Sequence, residues 1–259
     1  STLGNPEEFA AVALQSPNFF GCVEDLQTAE KKIHADKKTL MITCFSEPLA
    51  YGILKNPGSF GADIVCGEGQ SLGIPRAFGG PGLGVFASKQ KYVRYMPGRL
   101  IGQTVDKDGN RVFVLTLATR EQHIRRARAT SNICTNQALC ALASAVHMAA
   151  LGKKGLRRLA ELCYHKAHYA ADRIAELSGF QVLAEKPFFK EFVVRCPSPV
   201  QEVNDYLLEE WGIIGGYDLG PDYPHLENHM LLCVTEVISA EEIDFLAEAL
   251  AALVEEVVP

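Results

Sequence analysis

An α/β fold built on a mostly parallel sheet is what this chain predicts, and three observations predict it. Residues 10–15, 39–43 and 63–66 are short apolar runs of the type buried on both faces of a parallel sheet. The stretches between the first two and after the second carry helical spacing, so the order reads strand, helix, strand, helix, strand. The third run then leads into two glycine-rich loops, around Gly67-Glu-Gly69 and Gly79-Gly-Pro-Gly82, where the backbone can turn sharply or let another chain or a ligand come close.

The first strand is closed by Ser16-Pro-Asn18, and Leu26, Ala29 and Ile33 place a helix over 23–36. Residues 48–54 read as a short helix ended by Asn56-Pro-Gly58. A further strand begins at Leu83, and 85–95 reads as mostly extended. Residues 105–114 form a hairpin with its turn at Asp108-Gly-Asn110, and a basic helix-like run follows at 120–128. From 135 to 151 the chain is apolar nearly all round, which predicts a buried helix. Gly152 and Gly155 break it, and an amphipathic helix carrying Leu156, Leu159, Cys163, Ala167, Ala170 and Ile174 on one face continues to Ser178-Gly179. The tail alternates a strand (188–195), a helix opened by the capping box Ser198-Pro-Val-Gln201, a short extended piece (213–214), a strand (230–234) and a last helix opened by Ser239-Ala-Glu-Glu242. Residues 1–134 are therefore expected to be the C-terminal part of a large domain. Residues 135–259 are expected to be a bridging helix and a small C-terminal α/β domain.

A length of 259 residues allows one large domain or two small ones. The net charge of −6 disfavours nucleic acid and anionic membrane as partners. No run is long enough to span a bilayer, no secretory leader pattern is present, and the eight cysteines form no Cys-x-x-Cys pair. Together these predict a cytoplasmic protein with cysteines as small buried hydrophobes and with no metal. The chain also opens directly on a buried-type strand, so the first strands of the sheet are expected to lie outside it. The exposed sheet edge that this leaves favours self-association.

Gly67-Glu-Gly69 is not a dinucleotide fingerprint, since Leu72 stands at the third glycine, and no phosphate-binding Gly-Lys-Ser/Thr occurs. Gly79, Gly80 and Gly82 either form a structural turn or lend N–H groups to a ligand or interface. Glu161, His165 and His168 share a helical face, which reads as a polar surface stripe before it reads as a metal site. Arg120, His123, Arg125, Arg126 and Arg128, followed by Thr130-Ser131-Asn132, are either a solvated helix face or an anion-binding edge at a helix start. No nucleophile elbow and no activated cysteine is recognisable.

Five runs carry a family resemblance: residues 56–65 (Asn-Pro-Gly-Ser-Phe-Gly-Ala-Asp-Ile-Val), 73–82 (Gly-Ile-Pro-Arg-Ala-Phe-Gly-Gly-Pro-Gly), 120–126 (Arg-Glu-Gln-His-Ile-Arg-Arg), 129–135 (Ala-Thr-Ser-Asn-Ile-Cys-Thr) and 232–236 (Leu-Cys-Val-Thr-Glu). Together they resemble the P-protein of the glycine cleavage system, glycine dehydrogenase (decarboxylating), and within it subunit 1 of the two-subunit form without its N-terminal part. The resemblance implies a fold-type-I pyridoxal-phosphate-dependent transferase-like architecture. It also implies an activity in which glycine is decarboxylated and its aminomethyl group passes to the lipoyl arm of H-protein.

Pyridoxal phosphate chemistry needs a lysine for the Schiff base and an aspartate to keep the ring nitrogen protonated. The resemblance places Gln70 where that lysine would stand, and Cys44 at about the position of the aspartate. It therefore implies that the cofactor sits on subunit 2, and that this chain is inactive alone and pairs with subunit 2 in an α2β2 assembly. Gly79, Gly80, Gly82, Arg120, His123, Arg125, Thr130, Ser131 and Asn132 are the residues expected to line the shared site. The rival readings are a self-sufficient pyridoxal-phosphate enzyme of the aminotransferase kind and a purely structural partner.

Overall fold

The computed structural model of the chain describes residues 5–96, 100–117, 122–129, 137–183 and 186–257. Strands β1 (Ala11–Gln15), β2 (Leu40–Phe45) and β3 (Ile64–Glu68) lie side by side and parallel, and β4 (Gly84–Ser88) adds antiparallel at the edge. Parallel neighbours need a crossover, and α1 (Leu26–Ile33) supplies the first. Alternation along β2 decides the faces: Met41, Thr43 and Phe45 are buried, while Leu40, Ile42 and Cys44 are only half-buried. Met41 packs with Leu26 and Ile33 of α1 in a small core. The helix is shorter than 23–36 because Asp25 caps it, accepting from the Thr28 N–H at 3.0 Å, and His34 closes its far end on the Glu30 carbonyl.

The stretch 85–95 is not extended throughout. It leaves the sheet after Ser88 and winds into a 3-10 turn, Gln90–Tyr95, because Lys89 is tied back to the Gly61 carbonyl and the Asp63 carboxylate, each at 2.9 Å. The hairpin forms as β5 (Leu100–Val105) and β6 (Arg111–Thr116). Asp106 organises its turn by accepting from the Asp108 and Asn110 N–H groups, and Gly109 takes the left-handed conformation. A four-residue helix, α2 (Gln122–Arg125), follows.

The two expected helices join end to end as α3 (Ala138–Ala175), two helical segments meeting at a break. It kinks at Gly152 (φ 63°, ψ −178°), while Gly155 stays helical. Its first part is not buried: Leu139, Leu142 and Val146 are 78%, 60% and 60% exposed. An all-round apolar helix calls for cover on every side, and this chain covers mainly the side bearing Ser144 and His147. Beyond the kink the predicted stripe does face inward, with Cys163, Ala167, Ala170 and Ile174 buried.

The second sheet runs β7 (Gln181–Leu183), β8 (Glu191–Arg195), β10 (His229–Cys233), β9 (Tyr217–Asp218), antiparallel throughout. With α3, α4 (Val200–Trp211) and α5 (Ala240–Val257) it encloses the largest core, including Phe192, Val194, Leu207, Met230 and Leu250. The Ser239–Glu242 capping box closes both of its hydrogen bonds, at 2.6 and 3.1 Å. The Ser198–Gln201 box does not form. Pro199 takes the cap position, which moves the register by one; Gln201 donates to Asp205 instead, and the Ser198 hydroxyl has no partner. The extended piece expected at 213–214 is not a strand; β9 lies three residues later. Among the described residues, no helix is long and apolar enough to cross a membrane.

The two sheets meet at Gly21. It sits at φ 81°, accepts the Phe189 N–H at 3.1 Å, and a β-carbon there would lie 1.8 Å from the Glu191 carbonyl oxygen. Gly21→Ala is therefore expected to lower stability by about 1–3 kcal/mol in urea denaturation, the cost of forced overpacking. Gly109→Ala, at φ 80° with nothing within 4 Å of the added carbon, serves as the comparison. It should cost only the left-handed backbone term, about 1–2 kcal/mol at most.

Candidate functional site

The carboxyl ends of β2 and β3 are where an open α/β sheet presents its loops to a ligand. Here that edge is built around three side chains. The first is Glu68, the last residue of β3. One of its oxygens accepts from the N–H groups of Gly69, Gln70 and Leu83 at 2.9, 2.8 and 2.7 Å, which draws the two glycine-rich loops together. A β-carbon at Gly82 would lie 2.8 Å from its other oxygen. The second is Gln70, half-buried, whose side-chain amide donates to the Ile74 carbonyl. The third is Glu47, buried just past β2. It accepts from the Leu49 N–H at 2.8 Å and the Ser71 hydroxyl at 2.6 Å, and it pairs with Lys190 from the segment entering β8. Burial works against the Lys190 charge, but the Glu47 carboxylate beside it wins and raises its pKa above the usual lysine value.

A cleft of about 470 Å³ opens beside these groups, lined by Glu68, Gln70, Arg76, Phe78, Gly80 and Gly82. Phe78 is fully exposed at its mouth. Gly79 needs its glycine for φ 99°, but an added carbon at Gly79 or Gly80 would meet nothing within 4 Å. The chain's own packing therefore does not explain Gly80. Within the sheet, Cys44 and Cys66 stand in register on β2 and β3 with their sulfurs 3.7 Å apart. Burial, and the hydrogen bond the two thiols share, push the Cys44 thiol up, so it is neutral near pH 7.

The other sequence candidates fare differently. His123 and Arg125 are exposed on α2 and, among the described residues, have no hydrogen bond or ion pair to Gly79, Gly80 or Gly82. Arg120, Thr130, Ser131 and Asn132 lie outside the described residues. Glu161, His165 and His168 are not gathered for a metal. Glu161 pairs with Arg157 at 2.9 Å, while His168 stacks on Phe188 and bonds its carbonyl. Among the described residues no group of three or more His, Cys, Asp or Glu is placed to share an ion. The cysteines are not uniformly buried either: Cys163 and Cys196 are, whereas Cys233 is exposed.

Glu47, Glu68 and Lys190 escaped the sequence reading. Glu68 sits inside a motif weighed only for its glycines, and Glu47 and Lys190 are 143 positions apart. The one available signal was a charged residue flanked by apolar or glycine neighbours, as at Glu68.

Comparison with known proteins bears on the whole chain. The model of the glycine cleavage system P-protein family matches residues 2–250. The "Probable glycine dehydrogenase (decarboxylating) subunit 1" of Thermomicrobium roseum is 55% identical over 93% of this chain and 53% of its own length, so the chain spans about half the length of the curated relatives it matches. The solved structure of glycine decarboxylase (P-protein) of the glycine cleavage system, in inhibitor-bound form, superposes with a TM-score of 0.89 at 43% identity, over 95% of this chain and 55% of that one. Alanine–glyoxylate aminotransferase from Nostoc shares the fold alone, with a TM-score of 0.61 at 17% identity over 95% of this chain and 62% of the other. The fold-type-I architecture expected from the sequence is thus the one this chain has. With the family model and the solved P-protein structure both matching over nearly its full length, the chain belongs to the glycine cleavage system P-protein family.

Proposed function

We propose that this chain is part of the subunit of a two-subunit glycine dehydrogenase (decarboxylating) that does not anchor the cofactor. In this reading pyridoxal phosphate sits on subunit 2. The α2β2 assembly, in the cytoplasm, decarboxylates glycine and transfers the aminomethyl group to the lipoyl arm of H-protein. Residues 1–134 are part of the large domain and 135–259 the bridging helix and small domain. Gly79, Gly80 and Gly82, with Arg120, His123, Arg125, Thr130, Ser131 and Asn132, line the shared site from this side.

The observation that carries the reading is the chemistry at the sheet edge. Gln70 offers a carboxamide already bonded to Ile74, which cannot condense with an aldehyde. Lys190, a lysine that reaches this edge, is held in its ion pair with Glu47. Cys44, a neutral thiol, cannot hold a pyridine nitrogen protonated. The residues present do not fit the cofactor. The exposed Leu139, Leu142 and Val146, and the exposed Ile101, Phe113 and Leu115 of the hairpin, support a chain that expects cover from elsewhere.

Two measurements test this. Incubation of the isolated chain with pyridoxal phosphate and then borohydride should leave no cofactor fixed at Lys190; stable labelling there would support the self-sufficient enzyme instead. Mixing the chain with subunit 2 and H-protein should give or raise glycine–CO2 exchange. If Arg120→Ala and Asn132→Ala assemble normally and leave exchange unchanged, the chain is a scaffold and the lining assignment is wrong.

A further inference from the structure

We propose that Cys44 and Cys66 form a vicinal dithiol that closes to an intrachain disulfide when a peroxide oxidises it. The two residues are register partners on adjacent parallel strands, so their side chains leave the same face of the sheet. Neighbouring strands lie about 4.8 Å apart, inside the window of about 4.4–6.8 Å that a disulfide spans between α-carbons. The sulfurs are already 3.7 Å apart, so side-chain rotation rather than strand movement closes the bond. Both are half-buried in this chain, and Phe86, the register partner of Cys66 on β4, is 43% exposed. The other described thiols are arranged differently. Cys22 reaches the Phe20 carbonyl at 4.0 Å, Cys140 is half-buried on α3, Cys163 hydrogen-bonds Glu236 at 3.2 Å, Cys196 is buried, and Cys233 lies 3.6 Å from a Glu191 oxygen.

The chemistry balances with hydrogen peroxide as oxidant. One sulfur, as thiolate, attacks a peroxide oxygen; the O–O bond breaks, a sulfenic acid forms and one water leaves. The second sulfur displaces hydroxide from the sulfenic acid, the S–S bond forms, and the hydroxide takes the second thiol proton as water. Two thiols are oxidised by two electrons, and one peroxide is reduced to two waters. The bond ties β2 to β3 next to Glu47 and Glu68 at the strand ends, so the modification sits on the framework of the site edge.

The test uses the reduced chain. After brief treatment with hydrogen peroxide, alkylation and digestion, mass spectrometry should find the Cys44 and Cys66 peptides joined, with both thiol hydrogens lost, and dithiothreitol should reverse it. Phenylarsine oxide, which bridges closely spaced thiols, should protect both cysteines from alkylation. Cys44→Ser and Cys66→Ser should each abolish the cross-link and the protection. If the wild-type chain instead alkylates fully at both cysteines after peroxide, or if the arsenical protects neither, the proposal is wrong, whatever the folding of the serine variants.

Discussion

Asp63→Ala is expected to destabilise the chain by about 1–3 kcal/mol, the cost of leaving the buried Met41 N–H without its acceptor. Asp63 is 2% exposed at the start of β3. Its carboxylate accepts from the Met41 N–H at 3.0 Å, from His34 Nε2 at 2.8 Å and from Lys89 Nζ at 2.9 Å, and so joins α1, β2 and the exit from β4. Burial alone would push its pKa up. The hydrogen bonds from Lys89, Met41 and His34 outweigh that and hold the carboxyl well below the usual range. His34 meets a carboxylate at each ring nitrogen, Asp63 at Nε2 and Glu30 at Nδ1 (2.9 Å), an arrangement that favours the imidazolium, in which both nitrogens donate. Burial opposes that charge, but the two carboxylates prevail and raise the His34 pKa.

The pH dependence follows from the two signs. Asp63, depressed on folding, contributes fully above the ordinary aspartate value of about 3.9 and loses that contribution as pH falls through its folded pKa. His34, raised on folding, contributes fully below about 6.5 and loses it as pH rises through its folded pKa. The cluster therefore stabilises most between about pH 4 and 6.5. Urea midpoints of the wild-type chain should decline on both sides of that window. His34→Gln should flatten the neutral-side decline, and an unchanged neutral limb in that variant would rule out the imidazolium.

The sheet was legible because its information is local. Alternating or continuous apolar runs mark strands within a few residues, and Ser239 with Glu242 closes a capping box inside one turn. What was misread depended on context. The all-round apolar start of α3 reports that the helix needs cover, not that this chain provides it. Ser198 had the right spacing for a cap, but Pro199 displaced the register by one residue. The family motifs located Gln70, yet the groups that hold its loop in place were invisible because their partners are remote. Ser71 and Glu47 are 24 positions apart, and His34, the partner of Asp63 that closes α1, is 29 positions before it. No periodicity encodes such pairs.

Lys190→Met is expected to cost about 3–5 kcal/mol, because it leaves the buried Glu47 carboxylate without its counter-charge. The Leu49 N–H and the Ser71 hydroxyl would still bond that carboxylate, but neither supplies a positive charge. Glu47→Gln in the same chain removes the orphaned charge while keeping an acceptor for Leu49 and Ser71. The double variant should therefore recover part of the loss, with a coupling energy of about 0.5–3 kcal/mol in the four-member cycle. Additive single losses would show that the two residues act independently. The pH profile is distinctive as well. A lysine raised on folding gives its full contribution below the ordinary lysine value of about 10.4 and loses it only as pH rises through the folded pKa, so the Lys190 effect should stay flat across neutral pH. The pair also links the second sheet to the loop carrying Gln70 and Ser71, so Lys190→Met should speed hydrogen exchange at the Gly69, Leu72 and Ile74 N–H groups before global unfolding. Protection unchanged at those positions would mean that Glu68 alone fixes the site edge.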